Sequence, residues 1–531
     1  MKFRLYTTAI LLSLLAVAFA EAQPRLAVNI VVSGLRQRDI ARYEKNYCKE
    51  GFLRLRNEGV EFTECYVEYA PTTSEAGLAT LATGTTPSTH GIFSSVTFDR
   101  TTNKKRDICQ KDESELSGMI RKELYEKYTA KPFKVQTLTE SVLSSSERNR
   151  VITIAHNALS AMILTGRKGE CYWLDSAGKW ASALCYTEEL PFWVRSYNQA
   201  DGNRVYATNS WYGKYTSDKY RNSRSTAITL YEKDGAKRPR PRRKGGDWVE
   251  NLRTMPSGNI AIFEFAKRAL TSLLPLHIDD ECKMLNICLD VPRTIAERYG
   301  ADSIEYEDML YSLDALLAEF LTFLYAQLPS REDVIVTLTS DSGISPTKVG
   351  GDDARFDTRQ FEVLMNAFLS ARYGQDKWVS GYMNGSLYLN HDVIYKHKMS
   401  LSEVQNEVAA FALQYRGVAS AFTATAMRSA QFSRGAAALL QNGYTHRYSG
   451  DVMIVLEAER IENDSQRVAM SGSVYGYDRH IPFIVSGTGI APYKDSRRIS
   501  NEQIAPTVAR LIGVEPPMCS DAAIIVFDKK K

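Results

Sequence analysis

Residues 69–92 read YAPTTSEAGLATLATGTTPSTHGI, and the stretch from Tyr69 to Ile92 decides how the rest of the chain is arranged. It reads as a strand exit, a turn at Ala70-Pro71 and a short helix starting near Thr72-Thr73-Ser74. A Gly- and Thr-rich descent into Pro87, His90 and Gly91 follows. A hydroxyl at Thr72, Thr73 or Ser74 can cap the helix, and Glu75 falls in its first turn, where the positive end of the dipole favours an acid. The same hydroxyls are well placed to meet an anion.

Upstream, Leu26-Ala27-Val28-Asn29-Ile30-Val31-Val32 is a continuous apolar run closed by Ser33-Gly34, the pattern of a buried parallel strand. Helix is expected from Arg38 to Tyr47 and from Phe52 to Asn57, then a second strand from Val60 to Tyr69. This β-α-β opening predicts an α/β fold, a doubly wound, mostly parallel sheet flanked by helices, with functional groups at the carboxyl ends of its strands. Downstream strands are expected at Val151–Ala155, Leu285–Leu289, Asp333–Thr339 and Ile481–Ser486. Helices are expected at Thr137–Leu143 and Ser303–Leu328, with a terminal helix opening at Ile504. Thr254 to Asn259 should cap a helix running to Leu273, residues 355–430 should hold helices and the strand Gly385–Leu389, and Asp99 to Ser114 looks like a surface loop.

The order of these segments, with Ser74 opening the helix and Pro87, Ser88, His90, Gly91 and Ile92 after it, resembles the alkaline phosphatase superfamily. The match is to the branch of periplasmic bacterial alkaline phosphatases that shares a core with nucleotide pyrophosphatases/phosphodiesterases. Tyr477, Asp478, His480, Ile481 and Pro482 match that family's last core strand entry, so the resemblance runs from about Arg25 to about Pro517. It implies a nucleophile at Ser74.

Residues 1–22 read as a signal peptide: Lys2 and Arg4 precede the apolar run Ala9–Ala20, too short to span a bilayer, and Ala20-Glu21-Ala22 offers a cleavage site. No other segment approaches spanning length, so no transmembrane segment is expected after cleavage. The protein is expected to be exported, periplasmic or outer-membrane-associated or extracellular. The division expected is a core part over 23–197, an inserted cap over 198–255 and the rest of the core over 256–531. With a net charge of +4 on 531 residues, neither nucleic-acid nor anionic-membrane binding follows from charge alone, and no nucleic-acid partner is expected. The run Lys237–Lys244 concentrates cations, and reads as a solvated loop ahead of a docking site for acidic partners. Of eight cysteines, Cys171 and Cys185 flank a turn and could pair across a hairpin.

Active members of the family hold two zinc ions through six Asp or His side chains, each ion keeping an open position for substrate or nucleophile. Carried over position by position, that pattern fails here. The Asp after the first strand is Ser33, the Asp-x-x-x-His pair falls on Arg293 and Glu297, and the Asp-His dipeptide is Asp341-Ser342. The last His falls on Ser471 or Gly472. Only Asp341 keeps its type. Phosphate-contact positions fall on Ser95, Ala158 and Ser160, where the family has Asn, Lys and Arg, so the groups that neutralise a transferring phosphoryl are also replaced.

No cofactor is therefore expected. A single hard cation at Glu297 and Asp341 is the alternative, opposed by the fixed charge of Arg293. The histidines, 90, 156, 277, 391, 397, 446 and 480, are expected to be structural. As a nucleophile Ser74 would need a base or a metal; as a helix cap it needs neither. The function expected is that of a catalytically inactive pseudo-phosphatase, working as a binding or assembly component with an unknown envelope protein partner. The alternatives are an active phosphate-ester hydrolase (phosphomonoesterase or phosphodiesterase) with an altered site at Ser74, or an anion or glycan sensor.

Overall fold

The computed structural model describes residues 24–527 apart from 101, 103, 112, 118–122, 201, 208–210, 223–228, 232–247, 275–280, 348–354 and 464–466. Residues 1–22, read as a signal peptide, and the basic run 237–244 lie outside them. The run Leu26–Val32 is a strand near the middle of a ten-stranded sheet, and its side chains alternate between two cores. Leu26, Val28, Ile30 and Val32 face one apolar cluster, and Ala27 and Val31 the other. This is what a period of two produces when both faces are covered.

From one edge the strands run Tyr493–Ser500, Gly59–Tyr66, His480–Gly487, Val334–Thr339, Leu26–Val32, Lys283–Leu289, Arg150–Ala155, Glu170–Leu174, Trp180–Ala183 and Leu124–Tyr125. Six of the nine pairings are parallel, and His480–Gly487 and the hairpin at Glu170–Ala183 supply the antiparallel ones. The expected mostly parallel, doubly wound sheet is thus observed. Helices Ser257–Leu273 and Ile304–Ala326 cover one face; Ser74–Thr83, Ala158–Thr165 and Ile504–Leu511 cover the other.

Several local expectations are corrected. Val96–Asp99 pairs antiparallel with Lys104–Asp107, so the second strand of a two-stranded sheet lies inside the stretch read as loop. The helix Ser257–Leu273 has Pro256 at its cap position with no side-chain bond, and the Thr254 hydroxyl instead bonds the Glu250 carbonyl. Cys171 and Cys185 are unpaired: with Trp173 opposite Ala181 and Leu174 opposite Trp180, the register carries Cys171 toward residue 183, and Cys185 lies past the strand end. Helix Ile304–Ala326 is, by length and composition, long enough to cross a membrane, contrary to the sequence expectation. Met309, Leu310, Leu313, Leu317 and Phe320 on it are buried in the core, along with Glu307, Asp308 and Asp314.

Those buried acids take up the described part of 198–255. The Trp211 indole and Lys214 amide donate to Asp308, and the Arg221 and Asn222 amides donate to Glu307. A separate four-stranded sheet, in the order Val379–Met383, Ser386–Leu389, Val452–Leu456 and Val418–Thr423, stands beside the main one and walls the site.

Candidate functional site

The helix Ser74–Thr83 begins at the mouth of a cavity of about 490 Å³. Its cap is Thr73, whose extended backbone turns Oγ1 back to accept from the Ala76 amide at 3.2 Å. Ser74 is therefore the first helical residue and not the cap, and its Oγ is released to donate to Asp341 Oδ2. The helix can press this close because of Gly77: a Cβ there would sit 1.9 Å from the Asp341 carbonyl oxygen. Any larger residue at 77 would push Ser74 off Asp341.

Asp341 follows the strand Val334–Thr339 and is fully buried. It accepts from Ser33 Oγ at 2.6 Å, from the Gly34 amide at 3.1 Å and from the Ser342 amide at 2.7 Å. Arg293, in the helix Val291–Tyr299, lays its guanidinium across the same group: Nη2 to Asp341 at 3.0 Å and to Ser342 Oγ at 2.8 Å, Nε to Ser33 Oγ at 2.7 Å, and Nη1 to Ser471 Oγ at 2.5 Å. Burial alone would raise the Asp341 carboxyl, but Arg293 and the hydroxyls of Ser33 and Ser74 reverse that and hold it below its ordinary value.

The fold thus brings together Ser33, Ser74, Arg293, Asp341, Ser342 and Ser471. Of the two candidates for the last position, Ser471 is the one whose side chain reaches this cluster. Ser471 points onto Arg293, whereas Gly472 has φ +126, a conformation that L side chains rarely adopt, and gives its amide to Thr72 Oγ1 at 3.0 Å. Glu297, one helical turn after Arg293, lines the cavity but does not reach Asp341; it pairs with Arg467 at 3.4 Å.

The phosphate-contact positions form a second group. Ser95 lines the cavity, and its carbonyl accepts from the Ile108 amide. Ala158 opens the helix Ala158–Thr165 behind its cap, Asn157. The Ser160 hydroxyl donates to Asp290 at 2.7 Å, and Asp290 also accepts the His156 and Asn157 amides at 3.1 and 3.2 Å. Burial pushes Asp290 up to about 6 against those hydrogen bonds, and pushes Asp478 up to about 7. Asp290 and Asn157 were missed in the sequence; their signal is a polar residue directly after a buried strand, the place where open sheets gather function.

An acid raised by burial favours folding only while protonated, so its contribution declines as pH rises from the ordinary value of 3.8 toward the folded one. For Asp478 that window closes near 7. We expect Asp478→Asn to flatten the fall in urea midpoint between pH 5 and pH 7 (roughly the window set by linkage) relative to the parent chain. Parallel pH profiles for the two proteins would show that Asp478 does not carry the effect.

The described histidines are held elsewhere. His90 bonds Thr80 and the Ile92 amide and is pushed down to about 3 by burial; His156 is likewise pushed down to about 4. His480 donates to the Thr63 carbonyl, His391 pairs with Asp451 and His397 with Asp376. His446 is exposed, and His277 lies outside the described residues. None of the described histidines lines the cavity, and among the described residues no group of three or more His, Cys, Asp or Glu side chains is placed to hold a metal. At the positions carried over from the family's zinc ligands the side chains are the Asp341 carboxylate, the Glu297 carboxylate paired with Arg467, three hydroxyls and a guanidinium lying among them. Such a set does not fit two zinc ions, because a guanidinium has no lone pair to offer and repels a cation.

A sequence profile of the type I phosphodiesterase / nucleotide pyrophosphatase family matches residues 27–460. The chain is 28% identical over 516 residues to a protein of Myroides odoratus named a calcium-transporting ATPase, covering 93% of each chain. It is 24% identical to the alkaline phosphatase PafA of Elizabethkingia meningoseptica, over 94% of this chain and 93% of that one. The crystal structure of wild-type PafA superimposes with a TM-score of 0.84, covering 95% of this chain and 98% of PafA, at 24% identity, and so shares its fold. A profile match over most of the chain, on a fold shared with PafA, places this protein in the type I phosphodiesterase / nucleotide pyrophosphatase family of the alkaline phosphatase superfamily.

Proposed function

We propose that this chain is an exported pseudo-phosphatase, a binding component built on a phosphatase scaffold whose metal chemistry has been replaced by an internal ion pair. The observation that carries the reading is the Arg293 guanidinium, bonded at once to Ser33, Asp341, Ser342 and Ser471. Four of the family's metal positions are satisfied by a side chain of the protein itself. The leader-like segment 1–22 supports export, and an envelope protein partner follows from a scaffold that binds without turning over.

The second reading, a working phosphate-ester hydrolase, draws on the hydrogen bond from Ser74 to Asp341. Against it, Asp341 is held below its ordinary value by Arg293, which makes it a poor acceptor for the Ser74 proton at neutral pH. One experiment separates the two: zinc content by elemental analysis together with phenyl phosphate hydrolysis, for the parent chain and Ser74→Ala. We expect negligible zinc and background hydrolysis identical in both. Hydrolysis that disappears in Ser74→Ala would establish the second reading.

A further inference from the structure

We propose that the cavity beside Ser74 binds a ligand presenting a protonated amine, reversing the anion preference its fold family implies; the inference rests on the pseudo-phosphatase reading. The basis is which charges remain available. The cavity wall carries three arginines, and each is paired with a carboxylate: Arg293 with Asp341 at 3.0 Å, Arg460 with Glu457 at 2.9 Å, and Arg467 with Glu297 at 3.4 Å. Three acids on the same wall, Glu75, Asp290 and Asp478, form no ion pair within 4.0 Å among the described residues.

Asp478 supplies an observation independent of the acid count. It is almost wholly buried, and while its Oδ2 accepts the Ser473 amide at 2.8 Å, its Oδ1 has no hydrogen-bond partner. A buried carboxylate oxygen left without a donor is costly, and a ligand N–H relieves that cost. The groups that would welcome a phosphate are absent at Ala158 and diverted at Ser160, whose hydroxyl is given to Asp290. A phosphate dianion would meet three acids and, among the described residues, no open cation, whereas an ammonium would find the open acceptor Asp478 Oδ1 and hold the neighbouring acids in their ionised form, with Tyr444 and Tyr477 as aromatic walls. The volume, about 490 Å³, suits a small organic molecule or one long side chain.

The test is calorimetric titration of the full chain with cadaverine, with pentanol as its uncharged counterpart, with phenyl phosphate, and with a lysine-containing tripeptide. We expect saturable one-to-one cadaverine binding that weakens about tenfold in Glu75→Gln, with pentanol and phenyl phosphate not binding. Glu297→Gln, which removes a negative charge from the cavity wall, should weaken it similarly and stands in if the first variant fails to fold. Tighter binding of the tripeptide assigns the amine to a protein partner, and tighter binding of cadaverine assigns it to a free small molecule. Absence of saturation, binding unchanged in both variants, or phenyl phosphate binding more tightly than cadaverine would overturn the inference. Because these are binding readouts, that failure is distinct from hydrolysis tracking Ser74, which would instead remove the pseudo-phosphatase reading beneath it.

Discussion

Arg293→Ala is expected to destabilise the folded chain by about 3–5 kcal/mol, the range seen when one partner of a buried ion pair is removed. Asp341 is fully buried, and its other contacts are hydroxyls and amides. Without the guanidinium an uncompensated carboxylate stays in the core, and Ser471 and Ser342 each lose a donor. The measurement is the urea midpoint at neutral pH. A second variant gives the result its meaning: in Arg293→Ala/Asp341→Asn the buried charge is gone, so much of the loss should return. A single variant within about 1 kcal/mol of the parent would mean the pair is solvated, and that Arg293 does not stand in for a metal.

Restoring the donors is expected to have the larger functional effect. Ser33→Asp, Arg293→Asp, Glu297→His, Ser342→His and Ser471→His, combined with the native Asp341, rebuild the six-ligand pattern. The chain should then retain about two zinc ions after dialysis, the number such a donor set holds. Ser471 is the correct site for the last histidine because it faces the cluster and because Gly472 has a positive φ. Zinc content of the folded variant is the readout, with chelator-sensitive thermal stability as a second. A well-folded variant that retains no zinc would show that the scaffold has moved away from the metal geometry, and not merely lost its ligands.

The main sheet was legible because its strands announce themselves. Runs such as Leu26–Val32 and Val334–Thr339 are apolar, short and followed at once by small polar residues. The four-stranded sheet beside the site was legible only in part: the strand at Gly385–Leu389 was expected, the pairing of the sheet was not. Its strands are brief, two of them flank the turn at Asn384-Gly385, and its pairing order skips across intervening helices, so periodicity within any one segment says nothing about partners. The cap was left open among Thr72, Thr73 and Ser74, because their hydroxyls are chemically equivalent there and only the backbone angle at Thr73 separates them. The supposed disulfide failed for a related reason: a turn signal predicts a hairpin but leaves its register open.

Within the candidate site, residue identities alone carry the expectation of missing zinc donors, since a serine or an arginine in place of Asp or His is a change of chemistry that no packing can undo. What replaced them was a question only the tertiary structure decided. Ser33 and Asp341 are 308 positions apart, and Arg293 and Ser471 are 178 apart. A hydrogen-bonded cluster spanning such separations has no local signature. It exists because the parallel sheet delivers the ends of separate strands to one edge, where the Arg293 guanidinium meets the Asp341 carboxylate.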